Sequence, residues 1–211
     1  MLLTACGGSQ LANSKGSFAP QSQAHAGAAS PAYAVLYRFV NDVNGSAPTA
    51  ELIDVNGALY GTTSKGGSGC KNAGCGTAYT MSTSGLEKVV YRFAGHPSDG
   101  SNPLAGLHDV SGTLYGTTIH GGKSGWGTVF SIGSNGAEKV MHSFTGGSDG
   151  ALPTSGLIDV NGTLYGTTSF GGGYLGGTVF SISANGKLNV LHHFNYVPDA
   201  RSPLAGLVNV K

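Results

Sequence analysis

Short apolar runs recur along the chain, each closed by a turn signal, and this pattern predicts antiparallel strands rather than helices. Leu52 to Val55, Leu107 to Val110 and Leu157 to Val160 are followed by two-residue turns, Asn56-Gly57, Ser111-Gly112 and Asn161-Gly162. Each turn leads into the same word: Leu59-Tyr60-Gly61-Thr62-Thr63, Leu114-Tyr115-Gly116-Thr117-Thr118 and Leu164-Tyr165-Gly166-Thr167-Thr168. Asn-Gly favours a type I′ turn because both central residues need positive φ, so each pair predicts a hairpin, strands a and b of a repeating unit. A glycine pair follows (Gly66-Gly67, Gly121-Gly122, Gly171-Gly172), then strand c as Gly76 to Tyr79, Gly127 to Phe130 and Gly177 to Phe180. A second two-residue turn is expected at Ser84-Gly85, Asn135-Gly136 and Asn185-Gly186. Strand d then ends in Val90-Tyr91-Arg92-Phe93, Met141-His142-Ser143-Phe144 and Leu191-His192-His193-Phe194.

An extra d-like run, Leu36-Tyr37-Arg38-Phe39, stands before the first unit, and an a-like run, Leu207 to Val210, ends the sequence. The connections from d to the next a share a form as well: Asn44-Gly45 with Pro48, Asp99-Gly100 with Pro103, Asp149-Gly150 with Pro153, and Asp199-Ala200 with Pro203. Asp or Asn before glycine is turn chemistry, and proline, having no N–H to give a ladder, belongs at the entrance of a strand. Four short strands per unit of about 50 residues match the period of propeller blades of the kelch type. The expected fold is therefore all-β: a partial or oligomer-completed β-propeller of four-stranded antiparallel blades. Three full blades, the leading d and the trailing a occupy 32–211.

The Leu-Tyr-Gly-Thr-Thr, Gly-Gly and Gly-Thr-Val-Phe words resemble the glycine-rich tandem repeats called GloVer, which occur in bacterial surface proteins with varied anchors. The resemblance covers roughly residues 33–211 and departs in the first copy, where Ala78-Tyr79 replaces Val-Phe and a Cys70-to-Cys75 loop is inserted. It implies a propeller-like surface protein and supplies no activity, because fold does not determine function. One blade cannot cover both of its faces, so successive blades must share their cores. With three blades against a usual four to eight, open edges predict self-association, or a chain that is a piece of a longer repeat protein.

Composition narrows the class of partner. Lys and Arg total 11 against 10 Asp and Glu, so no overall field favours nucleic acid or an anionic membrane. Only 10% of residues are charged, and 37 are glycine. No apolar run is long enough for a membrane-spanning helix. Leu3-Thr4-Ala5-Cys6 resembles a bacterial lipobox, which would make Cys6 a lipidation site and leave 1–6 as a truncated leader. A secretory signal needs a longer basic and apolar leader, so either the start lies upstream or the match is fortuitous. Residues 7–31 are rich in Gly, Ser, Ala and Gln and read as a flexible linker that would hold a folded domain off a membrane. Export to the periplasm or cell surface follows from this reading, and in such a compartment Cys70 and Cys75 are expected to form a disulfide.

Motifs for catalysis are weak. Gly146-Gly147-Ser148-Asp149-Gly150 spells a nucleophile-elbow string but lies in a loop between strands, and Gly116 to Ser124 misses a phosphate loop by one residue with no helix after it. The once-per-repeat Asp99, Asp149 and Asp199, and Asp54, Asp109 and Asp159, read as turn-capping residues, and the scattered histidines do not form a metal set. No catalytic residue, cofactor or metal is implied.

In an up-and-down blade the a–b and c–d turns share one face and the longer b–c and d–a connections share the other. That loop face is the expected binding surface. It carries Lys65, His96, His120, Lys123, Trp126, Phe170, Tyr174 and Tyr196. Its aromatics could stack on sugar rings or on a protein partner, or tuck between blades. Sequence therefore points to an exported surface module binding a polysaccharide or protein. A propeller glycosidase or lyase is the alternative, and it would require two carboxylates about 5–10 Å apart in a cleft.

Overall fold

A computed structural model describes residues 34–40, 43–71, 73–195 and 199–210. The lipobox-like Cys6, the 7–31 linker and Tyr196 lie outside the described residues. Everything below belongs to the compact unit that begins at Val35.

The repeats fold as three four-stranded antiparallel sheets. The first is β1 (Ile53–Val55), β2 (Ala58–Thr63), β3 (Thr77–Met81) and β4 (Glu87–Arg92). A two-residue strand β5 (Gly100–Ser101) precedes the second sheet, which is β6 (His108–Val110), β7 (Thr113–Thr118), β9 (Thr128–Ile132) and β10 (Glu138–Ser143). The short β8 (His120–Gly121) pairs with β5. The third sheet is β11 (Ile158–Val160), β12 (Thr163–Thr168), β13 (Thr178–Ile182) and β14 (Leu188–His193). Each sheet runs a-b-c-d in spatial order, and the innermost strands β1, β6 and β11 succeed one another side by side. These are three consecutive blades of an unclosed propeller.

The a–b turns are type I′ as expected: Asn56 and Gly57 have φ of 54° and 83°, and Asn161 and Gly162 have 54° and 80°. Asp54 and Asp109 brace them, accepting from the N–H of Gly57 at 2.7 Å and of Gly112 at 3.0 Å. The c–d turns differ from the two-residue expectation. Only their glycine has positive φ (Gly85 87°, Gly136 79°, Gly186 86°). Gly85 N–H donates to Ser82 O at 2.9 Å while Ser82 N–H donates to Leu86 O at 3.0 Å. That is a type I turn followed by a glycine bulge, a three-residue loop. Every strand d carries a second bulge that leaves one residue unopposed: Val90, Met141 and Leu191. The bulge turns Val90 and Met141 toward the neighbouring blade.

The core lies between blades. One cluster combines Ala78 and Phe93 of the first repeat with Leu107, Leu114, Phe130 and Ile132 of the second. The next combines Val129 and Phe144 of the second with Leu157, Leu164, Phe180 and Ile182 of the third. Phe93 meets Phe130 edge to face at 5.0 Å, and Phe144 meets Phe180 at 5.4 Å. The leading run Leu36 to Phe39 takes the corresponding place against the first blade, with Phe39 at 4.9 Å from Tyr79. Neither it nor the trailing run Leu207 to Val210 forms a ladder.

Blades are also strapped by polar contacts. Within each blade the threonine pairs Thr63–Thr77, Thr118–Thr128 and Thr168–Thr178 tie strand b to strand c by hydroxyl hydrogen bonds at 2.7–2.9 Å, and all six are fully buried. Thr62 and Thr117 donate to Ala105 O and Ser155 O of the following repeat at 3.1 and 3.0 Å. Each d–a connector crosses from blade to blade through the residue before its proline. Asn102 N–H donates to Cys75 O at 2.7 Å and its carbonyl accepts from Ile119 N–H at 3.2 Å. Leu152 repeats this between Trp126 and Ser169 at 2.9 and 3.1 Å.

Candidate functional site

The strapping fixes where the loop-face residues stand. Lys65, His120 and Phe170 occupy one repeat position at the end of strand b. Each pairs through its backbone with the incoming connector, at Ser46, Ser101 and Ala151 respectively. Lys65 and His120 are exposed, and Phe170 is half-buried. The residue before each strand-c glycine is a second repeat position, filled by Cys75, Trp126 and Gly176. Its carbonyl accepts the connector N–H in all three blades.

Cys75 and Trp126 therefore do equivalent work with different chemistry. Cys70 and Cys75 are joined as expected, with Cα atoms 5.0 Å apart. Their sulfurs press against Gly95, where an added Cβ would lie 2.8 Å from Cys75 Sγ. In the second blade the Trp126 indole lies over the matching Gly146, where a Cβ would stand 2.7 Å from Nε1. Trp126 also stacks with Phe170 of the next blade, rings 6.1 Å apart and 28° from parallel. It is both seated and open: 39% of its surface remains exposed. Tyr174, 59% exposed, and Leu175, 50% exposed, project from the same b–c loop as Phe170.

The remaining predicted residues are brought only partly together. His96 is exposed, and its Nδ1 bonds Gly122 O at 2.8 Å, tying the first connector to the second blade's b–c loop. Lys123 lines a cleft of about 500 Å³ with Pro97, Ser98, Met141 and His142. Sequence reasoning missed two features. Lys71 stands exposed within the disulfide loop. A cleft of about 520 Å³ opens on the opposite, turn-bearing side between the first two blades, lined by Tyr60, Lys88, Val90, Asp109, Leu114 and Asn135 among others. Between the second and third blades the same cleft shrinks to about 50 Å³. There Met141 and Leu188 pack into the core where Val90 and Glu138 stand in the first pair. Only comparison of one repeat with the next could have shown this.

A family model described as the Gloeobacter/Verrucomicrobia repeat matches residues 12–211. The chain belongs to that repeat family. Comparison with curated proteins returns no match. Among solved structures, one similar chain is that of the crystal structure of the tricorn protease, at 12% identity and a TM-score of 0.33. The likeness covers 66% of this chain and 18% of that one, so this chain spans about a fifth of the tricorn protease and takes nothing from its activity.

In this Gloeobacter/Verrucomicrobia repeat chain the connector aspartates are structural anchors. Asp99 accepts from Ala94 N–H and Gly100 N–H, both at 2.6 Å, and from Tyr91 OH at 2.9 Å. Asp149 accepts from the N–H and hydroxyl of Thr145, and from His142 Nε2 at 3.1 Å. Asp199 accepts from His192 Nε2 at 2.6 Å and Ala200 N–H at 2.9 Å, and the histidine contact holds its carboxyl below the usual range. Among the described residues no group of three or more His, Cys, Asp or Glu could hold a metal.

The first blade pair differs by an acid. Burial, and next the Asp99 charge, push Glu138 from 4.5 up to about 7, while its hydrogen bond with Tyr91 pulls the other way. Burial, then the bond to Asp99, lift Tyr91 well above the ordinary tyrosine range. A protonated Glu138 can donate to the Tyr91 oxygen while Tyr91 donates to Asp99. Because the folded pKa exceeds the unfolded one, the folded state holds more protons between about 4.5 and 7, and stability falls as pH rises through that window. Glu138→Gln should remove this slope. The variant gains about 1 kcal/mol over the parent between pH 4.5 and pH 8 once solvent screening is allowed for. Melting curves of both proteins across that range are the check, and parallel curves would refute the assignment.

Proposed function

We propose that this chain is an exported surface module that binds a glycan on its loop face, with Trp126 and Phe170 as the platform. A lipid on Cys6 would hold it at the membrane, and the linker 7–31 would space the blades from it. The observation that carries the reading is the Trp126–Phe170 stack. Two aromatics from adjacent blades lie nearly parallel, and the indole is seated on Gly146 with 39% of its surface open. A ring fixed in this way meets the face of a sugar with little loss of side-chain freedom, which is what makes an aromatic platform effective. The disulfide beside the same face supports an oxidising compartment.

Trp126 is the single tryptophan, so its emission reports directly on anything laid over it. Titration with soluble polysaccharides is expected to quench or shift that emission, with retention on a glycan array as the independent measure. Trp126→Ala should lower retention about tenfold or more while leaving the circular dichroism of the blades unchanged. Unchanged retention by a folded Trp126→Ala variant would remove the platform from the site.

A further inference from the structure

We infer that the glycan held on this face is acidic, a polysaccharide bearing carboxylates along its chain. The inference rests on the glycan reading above and adds the charge of the ligand. The three b–c loops, residues 64–76, 119–127 and 169–177, contain no Asp or Glu. They carry Lys65, Lys71, His120 and Lys123, all exposed. Among the described residues none of the three lysines pairs with a carboxylate.

The neighbouring connectors bring Asp99, Asp149 and Asp199 to the same side, each tied by hydrogen bonds into its own repeat. Asp99 is 5% exposed, and its oxygens are occupied by backbone N–H groups and by Tyr91. Asp149 and Asp199 are engaged with His142 and His192. The opposite side carries Asp54, Asp109 and Asp159, one per a–b turn. The turn side mixes these acids with Lys88, Lys139 and Lys187 beside the c–d turns, so the stretch that is cationic and free of acids is the b–c loops themselves.

Register supplies the path. Lys65, His120 and Phe170 hold the same position in successive blades, so a polymer crossing the loops passes lysines on the first two blades before reaching the Trp126–Phe170 stack and Tyr174. Each exposed ion pair adds little alone, but three along one polymer act together.

The test uses the full chain with polygalacturonate and its methyl ester, which share ring and linkage and differ in charge, alongside alginate and poly(dT). The acidic glycans are expected to bind about tenfold more tightly than the ester, an advantage lost between about 50 and 500 mM salt. The triple variant K65Q/K71Q/K123Q should bind acid and ester alike, and Trp126→Ala should weaken both. Equal affinity of the parent for acid and ester would overturn the charge inference and leave the glycan reading standing. Silence toward every glycan would overturn both. Poly(dT) binding as tightly as polygalacturonate would replace the acidic glycan with a nucleic acid.

Discussion

Gly150→Ala is expected to lower the melting midpoint by about 10 °C, a loss of about 3 kcal/mol, although it adds one methyl group in a connector outside the strands. Gly150 has φ of 101°, a conformation that costs an L-residue energy by itself. A Cβ there would stand 2.3 Å from Thr168 Oγ1 and 2.7 Å from Thr178 Oγ1. Neither threonine can yield. The Thr168 hydroxyl donates to Phe170 O at 3.1 Å, accepts from Thr178 N–H at 3.0 Å and shares a bond with Thr178 Oγ1 at 2.8 Å. The connector would have to lift instead, and with it the Ala151–Phe170 backbone pair and the Leu152-to-Trp126 bond that join the second and third blades. The sequence contains its own control. The fourth connector has Ala200 at this position, with φ outside the left-handed region, so Ala200→Gly should move the midpoint little. Near-equal midpoints for Gly150→Ala and the parent would show that the connectors do not hold the blades together.

That glycine marks the boundary of what sequence could reveal. The blade order, the type I′ hairpins and the disulfide were legible because each has a local signature: a repeated word, an Asn-Gly pair, two cysteines in one inserted loop. The loop face was legible as a consequence of strand alternation. The c–d turn was misjudged because Ser84-Gly85 and Asn56-Gly57 look alike as dipeptides. What separates them is whether the residue before glycine also has positive φ, and that depends on register with strand c. The bulges at Val90, Met141 and Leu191 were hidden for the same reason. The pairing of Asp99 with Tyr91, Asp149 with His142 and Asp199 with His192 recurs once per repeat, but it joins the end of a strand to the far side of a loop and so leaves no mark in the apolar pattern. Trp126 falls in a b–c loop by the strand order, but its seat on Gly146 joins two separate loops and its stack on Phe170 crosses a blade boundary, and neither has a local signature.

Phe144 and Phe194 offer the sharpest measure of how far blades depend on one another. They are the same residue at the same repeat position, each T-stacked on the histidine two places before it at 4.9 Å. Phe144 is fully buried, because Phe180 of the next blade covers it. Phe194 is only half-buried, and the bulge residue beside it, Leu191, is 55% exposed. If a blade were stable by itself, truncating either phenylalanine would cost much the same. If stability resides in the shared cores, Phe144→Ala loses its transfer energy and leaves a cavity between two sheets, about 4 kcal/mol, while Phe194→Ala loses about 1 kcal/mol from a site water already reaches. Urea unfolding of the two variants measures the difference directly. Equal losses would mean that each blade carries its own core, and the connectors, the Thr62 and Thr117 bonds and the edge-to-face phenylalanines would then be ornaments on independent sheets rather than what holds them in order.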